Sequence, residues 1–272
     1  MENDSGVVSL GELGEINRWT KLPTREWAWA RMLDASGEFK PGDRPTCFAY
    51  MKDRIAVAYP QMGVKVWLWV NGMWQQQRSI LRHHVTNIRF VEGGKAIFGG
   101  TSDSVLWYCQ VPSGTLRACL HFSGGIDHID VSPSETELLV SLTDNTASIV
   151  SINGASTEIG AKLNLNAINA GVPGVHGGIY LNQGNSVLYG DTRERMFKWG
   201  LNGMVVAELM KAIGVQDQYR IEAVANYNFP EGHPCAGCIV MGTASGDLLW
   251  WRYHSNGEFE RSTAWYKRSR YD

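Results

Sequence analysis

The sequence predicts an all-β fold assembled from repeats of one four-stranded antiparallel unit. Three observations carry this. Residues 99–114, GGTSDSVLWYCQVPSG, read as a strand ending, a tight turn, a second strand and another turn. Just before them, VTNIRFVEGGKAIF (85–98) supplies two strand-like runs split by Glu92-Gly93-Gly94. Alternating small polar and apolar residues closed by Gly- and Ser-containing turns mark a short antiparallel meander. The same layout then returns along the chain. Its closing slot falls at Trp69, Cys109, Val150, Trp199 and Trp251, at intervals of 40, 41, 49 and 52 residues. Four strands recurring at a period of about 40–45 residues are the blade of a β-propeller.

Laid along the chain, the turn and third strand of the unit match six segments. These are SGVVSLGELG (5–14), GVKVWLWVNG (63–72), DSVLWYCQVPSG (103–114), DNTASIVSING (144–154), RERMFKWGLNG (193–203) and SGDLLWWRYHSNG (245–257). Five of them follow a pair of strand-like runs: CFAYM and RIAVAY, TNIRFV and KAIFGG, the two halves of DHIDVSPSETELLVSL, those of GIYLNQGNSVLYG, and IEAVANYNF with CIVMGT. Fourth strands follow, as in TLRACLHF and VVAELM. The expected organisation is one domain, 1–272, of five blades plus a half blade at the N-terminus. The half blade is 1–23 and the connection 24–45. The blades span about 46–82, 83–122, 123–164, 175–212 and 219–268. Polar or Gly-rich stretches at 163–177 and 210–219 read as longer loops and stretch the later intervals.

In the half blade, SGVVSLGELG reads as a third strand and EINRWTKLP (15–23) as its fourth. The two strands before them would need about twenty residues, and only 1–4 precede. The run EFERSTAWYKR (258–268) is already used as the outer strand of the last blade. An open strand edge is therefore expected, which invites self-association or strands supplied by a longer chain, a partner or a second copy. REWAWARM (25–32) does not fit the blade pattern. Trp27 and Trp29 suit one face of a strand, whereas Arg25, Trp29 and Met32 would share a helix face. Its tryptophans either pack on the side of a blade or anchor a partner.

DNTASIVS (144–151) and SGDLLWWR (245–252) resemble, position by position, the third-strand pattern D-G-T-V-R-L-W-D of the WD-repeat β-propeller family. VSPSETELLV (131–140) is similar to the F-S-P-D-G-K-L-L-A pattern that precedes it. The likeness covers nearly the whole chain, with departures. The turn aspartate is kept at Asp103 and Asp144, but Gly63, Arg193 and Ser245 hold that place elsewhere. The resemblance implies a network of Asp, His, Ser/Thr and Trp stiffening each blade, here complete in few blades or none.

Composition narrows the function class. With 44% hydrophobic and 19% charged residues the chain is ordered and globular rather than disordered. A formal net charge of -2 argues against a general nucleic-acid or anionic-membrane binder. No apolar run approaches the ~20 residues that span a bilayer. Cys47, Cys109, Cys119, Cys235 and Cys238 make an odd number, and no charged-then-apolar leader opens the sequence. The expected setting is intracellular, in the cytoplasm or nucleus.

His233-Pro234-Cys235-Ala236-Gly237-Cys238 has the spacing of a zinc ligand pair with one extra His. It is also half of a zinc-deaminase signature, but no His in the chain is followed two residues later by Glu. A loop leading into a strand that buries Cys238 beside Ile239 is the favoured reading, so no metal is expected. His83, His84 and His176 stand just ahead of first strands and His128 lies inside a strand-like run. These suit structural or surface roles. No nucleophile elbow, phosphate loop or dinucleotide fingerprint occurs. No cofactor and no catalysis are therefore expected.

Propeller blades hold loops rigidly on two rims, and such rims bind proteins or peptides. By the family resemblance, one rim gathers Arg82, His83, His84, Asp103, His121, Asp144, His176, Arg193, Glu194 and Arg195. The expected function is a non-catalytic scaffold recruiting a protein or peptide partner there, with Arg193 and Arg195 recognising acidic groups. The rival readings are an enzyme with its site at a central channel and a degenerate, inactive piece of a larger scaffold.

Overall fold

The structure is a computed structural model that describes residues 6–12, 14–21, 24, 27–34, 43–111, 113–168, 177–181, 184–190, 196–208, 221–226, 238–243, 248–253 and 259–261. Apart from two 3-10 turns, at Glu92–Gly94 and Leu165–Ile168, the regular structure described is all β. The chain divides into two compact units, Met1–Ala118 and Cys119–Asp272.

The first unit opens with a three-stranded antiparallel meander of β1 (Gly6–Leu10), β2 (Glu15–Lys21) and β3 (Trp27–Asp34). A four-stranded sheet follows: β4 (Cys47–Met51), β5 (Arg54–Tyr59), β6 (Gly63–Val70) and β7 (Met73–Ile80). The next is β8 (Val85–Val91), β9 (Ala96–Thr101), β10 (Val105–Gln110) and β11 (Leu116–His121), whose last residues pass into the second unit. The β6–β7 hairpin closes on Asn71-Gly72, both at positive φ (51° and 82°). A two-residue type I′ turn requires this, and its twist matches that of the strands.

Sheets of this unit pack face to face. Val64, Val66, Ala56 and Ala58 on one face of the β4–β7 sheet bury against Val85, Ile88, Phe90, Ile97, Trp107 and Cys109. Its other face puts Ile55, Val57, Tyr59 and Trp67 against Ile16, with Val8, Leu10, Met32 and Leu33 around them. Burial on both faces explains why RIAVAY is a continuous apolar run without polar alternation. The first strands lie side by side: Thr46, just ahead of β4, donates its hydroxyl to the Val85 carbonyl of β8 at 2.9 Å.

The second unit holds three four-stranded antiparallel sheets. They are β12 (Ile126–Val131) to β15 (Ser156–Asn164) through β13 (Glu137–Leu142) and β14 (Thr146–Asn153); β16 (Ile179–Leu181) to β19 (Val205–Glu208) through β17 (Ser186–Gly190) and β18 (Met196–Gly200); and β20 (Ile221–Asn226) to β23 (Phe259–Arg261) through β21 (Cys238–Thr243) and β22 (Leu248–Tyr253). Leu139, Ala147 and Ile149 bury against Tyr180, Val187, Tyr189, Phe197 and Trp199. Leu188 and Met196 bury against Val224, Ile239 and Met241. Here too first strands are strapped together. The Tyr180 N–H donates to Asp130 at 2.8 Å and the Asn226 amide donates to the Tyr180 carbonyl at 2.7 Å.

Strand pairing corrects the expected register in one sheet. The second and third strands pair symmetrically about sequence positions 103, 144, 193 and 245, as Leu106↔Gly100, Ser141↔Ala147, Gly190↔Met196 and Gly242↔Leu248 show. Cys109, Val150, Trp199 and Trp251 each stand six residues beyond the centre. In the β4–β7 sheet, Tyr59 pairs with Gly63, so the centre is Gln61 and the equivalent residue is Trp67, not Trp69. Trp67 is 3% exposed, whereas Trp69 is 48% exposed and packs edge-on to Trp74 across the hairpin. The first interval is thereby 42 residues instead of 40. Trp69 sits beside the Asn-Gly turn, where an aromatic mimics the slot in sequence but lies past the buried part of the strand.

The same rule reassigns the N-terminal sheet. Leu10 pairs with Ile16, so that turn centres on position 13 and Trp19 is the residue six beyond it. β1 is thus the second strand of a unit, β2 the third and β3 the fourth. The expectation that SGVVSLGELG holds a third strand, followed by a connection over 24–45, is corrected on both counts. β3 pairs with β2 from Lys21↔Trp27 to Glu15↔Asp34. Its period-two arrangement sets Trp29 against Trp19, with ring centroids 6.1 Å apart.

Candidate functional site

The expected binding positions sit on loops that enter first strands and on turns between second and third strands. In the first unit these are the β7–β8 loop and the β9–β10 turn. Thr101, fully buried at the end of β9, closes the turn: its hydroxyl donates to the Val105 carbonyl (3.1 Å) and accepts the Val105 N–H (3.0 Å). The Ser102 N–H donates to the His84 carbonyl at 2.9 Å, tying the loop to the turn. His84 (φ 58°) and Ser104 (φ 71°) take left-handed conformations to do this. Arg82 Nη2 then lies 3.5 Å from Asp103 Oδ2. The Thr101 hydroxyl, then the Arg82 guanidinium and His84, hold the Asp103 carboxyl below its ordinary range despite some burial. Arg82 Nε is buried and makes no hydrogen bond. His83 is exposed beside this group.

In the second unit Asp144 occupies the equivalent turn centre. Burial pushes its carboxyl up, but hydrogen bonds from the Thr146 hydroxyl, the Ser123 hydroxyl and the Thr146 N–H outweigh it, and the net shift is downward. Gly124 leaves room for this carboxyl, since a Cβ would stand 3.1 Å from the Asp144 carboxyl carbon. Asn166 donates to the Asp144 carbonyl at 3.3 Å, which fixes the turn from the far side. His121 is exposed at the end of β11. His176, Arg193, Glu194 and Arg195 lie outside the described residues, as do His233 and Cys235. The structure therefore brings Arg82, His84 and Asp103 together and gives Asp144 a separate hydroxyl cradle.

The indoles of the third strands take no part in these turns. Trp107 Nε1 is buried with no acceptor, and Trp199 Nε1 donates to the Tyr189 carbonyl at 2.9 Å. Trp107 instead packs against Gly99, the residue it pairs with, its ring taking the space a Cβ would need.

Several structural polar residues were not legible as such. Asp43, only 2% exposed, accepts the Gln61 and Met62 N–H groups at 2.9 and 3.0 Å and so holds the β5–β6 turn. Its one sequence signal is an acidic residue after Pro-Gly, ahead of an apolar run. Ser132 does the same for the β12–β13 turn, accepting the Thr136 and Glu137 N–H groups. Lys65 is buried with its ammonium 5.8 Å from the Tyr59 ring centroid.

Cys47, Cys109, Cys119 and Cys238 are free thiols on strands. Burial, only partly offset by a Thr46 hydrogen bond, pushes Cys47 up to about 11, so it is an inert thiol rather than a nucleophile. Among the described residues no group of three His, Cys, Asp or Glu side chains could hold a metal ion, and no helix is long and apolar enough to cross a membrane.

No known family matches the chain, and no curated protein is significantly similar to it.

Proposed function

We propose that the sheets are blades of a β-propeller and that the chain is a non-catalytic scaffold, acting inside the cell, that recruits a protein or peptide partner through its loop rim. The observation carrying this reading is the Arg82–His84–Asp103 group. It is exposed, yet its loop and turn are fixed by backbone and Thr101 hydrogen bonds before any partner arrives. Preorganised loops bind without the entropic cost of ordering. Arg82 has donor capacity to spare, since its contact to Asp103 is long. A carboxylate or phosphate on a partner would accept from the terminal nitrogens of the guanidinium. Arg193 and Arg195 extend the same reading to the second unit.

The test compares partners captured by the wild-type chain with those captured by an Arg82→Glu, His84→Glu variant from the same cells. Proteins specific to the wild type that are lost with the variant, at unchanged thermal stability, support the rim. Retention of every specific partner refutes it.

A further inference from the structure

Five sheets begin with a first strand paired antiparallel to the second: β4–β5, β8–β9, β12–β13, β16–β17 and β20–β21. The N-terminal sheet does not. β1 is its second strand by register, it pairs with β2 on one edge, and among the described residues nothing pairs with its other edge. That edge, GVVSL, has no charge and no proline, the usual devices that blunt an exposed strand.

A second observation marks the same place. Through their pairing partners, Phe48 and Tyr50 of β4 are the equivalents of Ile88 and Phe90 of β8 (Phe48↔Val57 and Ile88↔Gly99; Tyr50↔Ile55 and Phe90↔Ile97). Ile88 and Phe90 are buried, covered by the preceding sheet, whose first strand contributes Cys47, Ala49 and Met51. Phe48 is only half-buried and Tyr50 is 38% exposed. The two positions on β4 that are less covered than their counterparts are those a first strand beside β1 would cover.

We propose that this edge binds one extended segment of a partner protein, added antiparallel to β1 as the first strand of the N-terminal sheet. It rests on the scaffold reading only in taking the partner to be a protein. Backbone hydrogen bonds along β1 would hold the segment. Selectivity would come from its alternate side chains, which meet Phe48 and Tyr50 and must be small to medium and apolar, as Cys47, Ala49 and Met51 are toward β8. The place suits a single strand and not a second copy of the chain, since a second β1 brings its own β2 and here β4 lies alongside.

The probe is a synthetic peptide copying residues 46–52, TCFAYMK, with Cys47 replaced by Ala. Two measurements are made on the full chain: binding by calorimetry, and hydrogen exchange of the Gly6–Leu10 amides. Expected are 1:1 binding, slowed exchange along β1, and a loss of affinity of at least about tenfold when alternate peptide nitrogens are methylated, because one row of hydrogen bonds is removed. Tyr50→Ala, an exposed change, is expected to weaken peptide binding while leaving the melting temperature close to wild type. No binding, or equal binding of the methylated peptide, overturns the proposal. So does slow exchange of β1 in the chain alone, which means its own residues fill the place. Protection that grows with chain concentration as a dimer forms also overturns it. Arg82→Glu should leave peptide binding unchanged, so the rim and the edge fail separately.

Discussion

Replacing Trp67 by alanine should destabilise the first unit more than replacing Trp69, although the two lie on the same strand and the sequence pattern favours Trp69 as the slot residue. Trp67 is 3% exposed and packs among Ile16, Ile55, Val57 and Tyr59. An aromatic of this size buries roughly 150–250 Å². At about 25 cal/mol per Å² its burial is worth on the order of 4–6 kcal/mol as an upper bound, in line with the ~3–5 kcal/mol typical of large aromatic-to-alanine changes in cores. Trp69 keeps 48% of its surface in solvent. What it loses is about half that area, about 2–3 kcal/mol as the same upper bound, plus about 0.5–1 kcal/mol for its edge-on pairing with Trp74 at 5.2 Å. Urea unfolding of both variants, followed by far-ultraviolet circular dichroism so that the lost indole does not alter the signal, reads the difference. A gap of about 1–2 kcal/mol is expected. If Trp69→Ala costs as much as Trp67→Ala, the register derived from Tyr59↔Gly63 is wrong, and with it the reassignment of β1.

Gly99→Ala would drive a methyl into the Trp107 ring, whose Cζ2 stands 2.0 Å from the built Cβ. A loss of about 1–3 kcal/mol is expected, largely relieved in a Gly99→Ala, Trp107→Leu double variant; equal losses in single and double variants would contradict this packing. Asp43→Ala leaves two N–H groups of the β5–β6 turn without their acceptor. This should cost about 2–3 kcal/mol, with Asp43→Asn intermediate, as thermal melts can check. The Asp144 carboxyl is depressed in the folded state. Its contribution to stability is therefore complete above the unfolded value near pH 3.8 and is lost as pH falls through the lower folded value. Stability measured from pH 6 down to pH 2 should fall less steeply in Asp144→Asn than in wild type; identical slopes would remove the hydroxyl cradle from the account.

The sheets were legible because their strands carry period-two or continuous apolar runs between turns with specific chemistry. Asn71-Gly72 and the Thr101-to-Val105 turn are examples, in which local residues decide the local backbone. What was not legible depended on partners distant in sequence. Asp43 reads as a loop acid until Gln61 and Met62 are brought to it. The choice between Trp67 and Trp69 cannot be made from β6 alone, since both have the same parity and both are followed by apolar neighbours. The pairing of Tyr59 with Gly63 decides it. Of the candidate site, the turn aspartates were visible as residues. Their difference was not: Asp103 faces Arg82 and His84, whereas Asp144 is held by Ser123 and Thr146.

The N-terminal sheet shows why a repeat must be aligned by pairing and not by likeness. SGVVSLGELG ends in a Gly-rich turn, as third strands do here, and that resemblance set it one strand late. Counting six residues from the paired turn instead selects Trp19, which is half-buried. Val8 and Leu10 of β1 share the apolar face with Ile16 of β2, as Ala56 and Ala58 of β5 share theirs with Val64 and Val66 of β6. The shift by one strand changes what the sheet lacks. A half blade missing two strands would expose both edges of a hairpin; a sheet holding its second, third and fourth strands leaves open, among the described residues, only the first place. The less covered strip this predicts on the neighbouring first strand is the one at Phe48, half-buried, and Tyr50, exposed, two residues whose counterparts Ile88 and Phe90 are buried. Register, edge and exposure are independent observations, and they agree on one place.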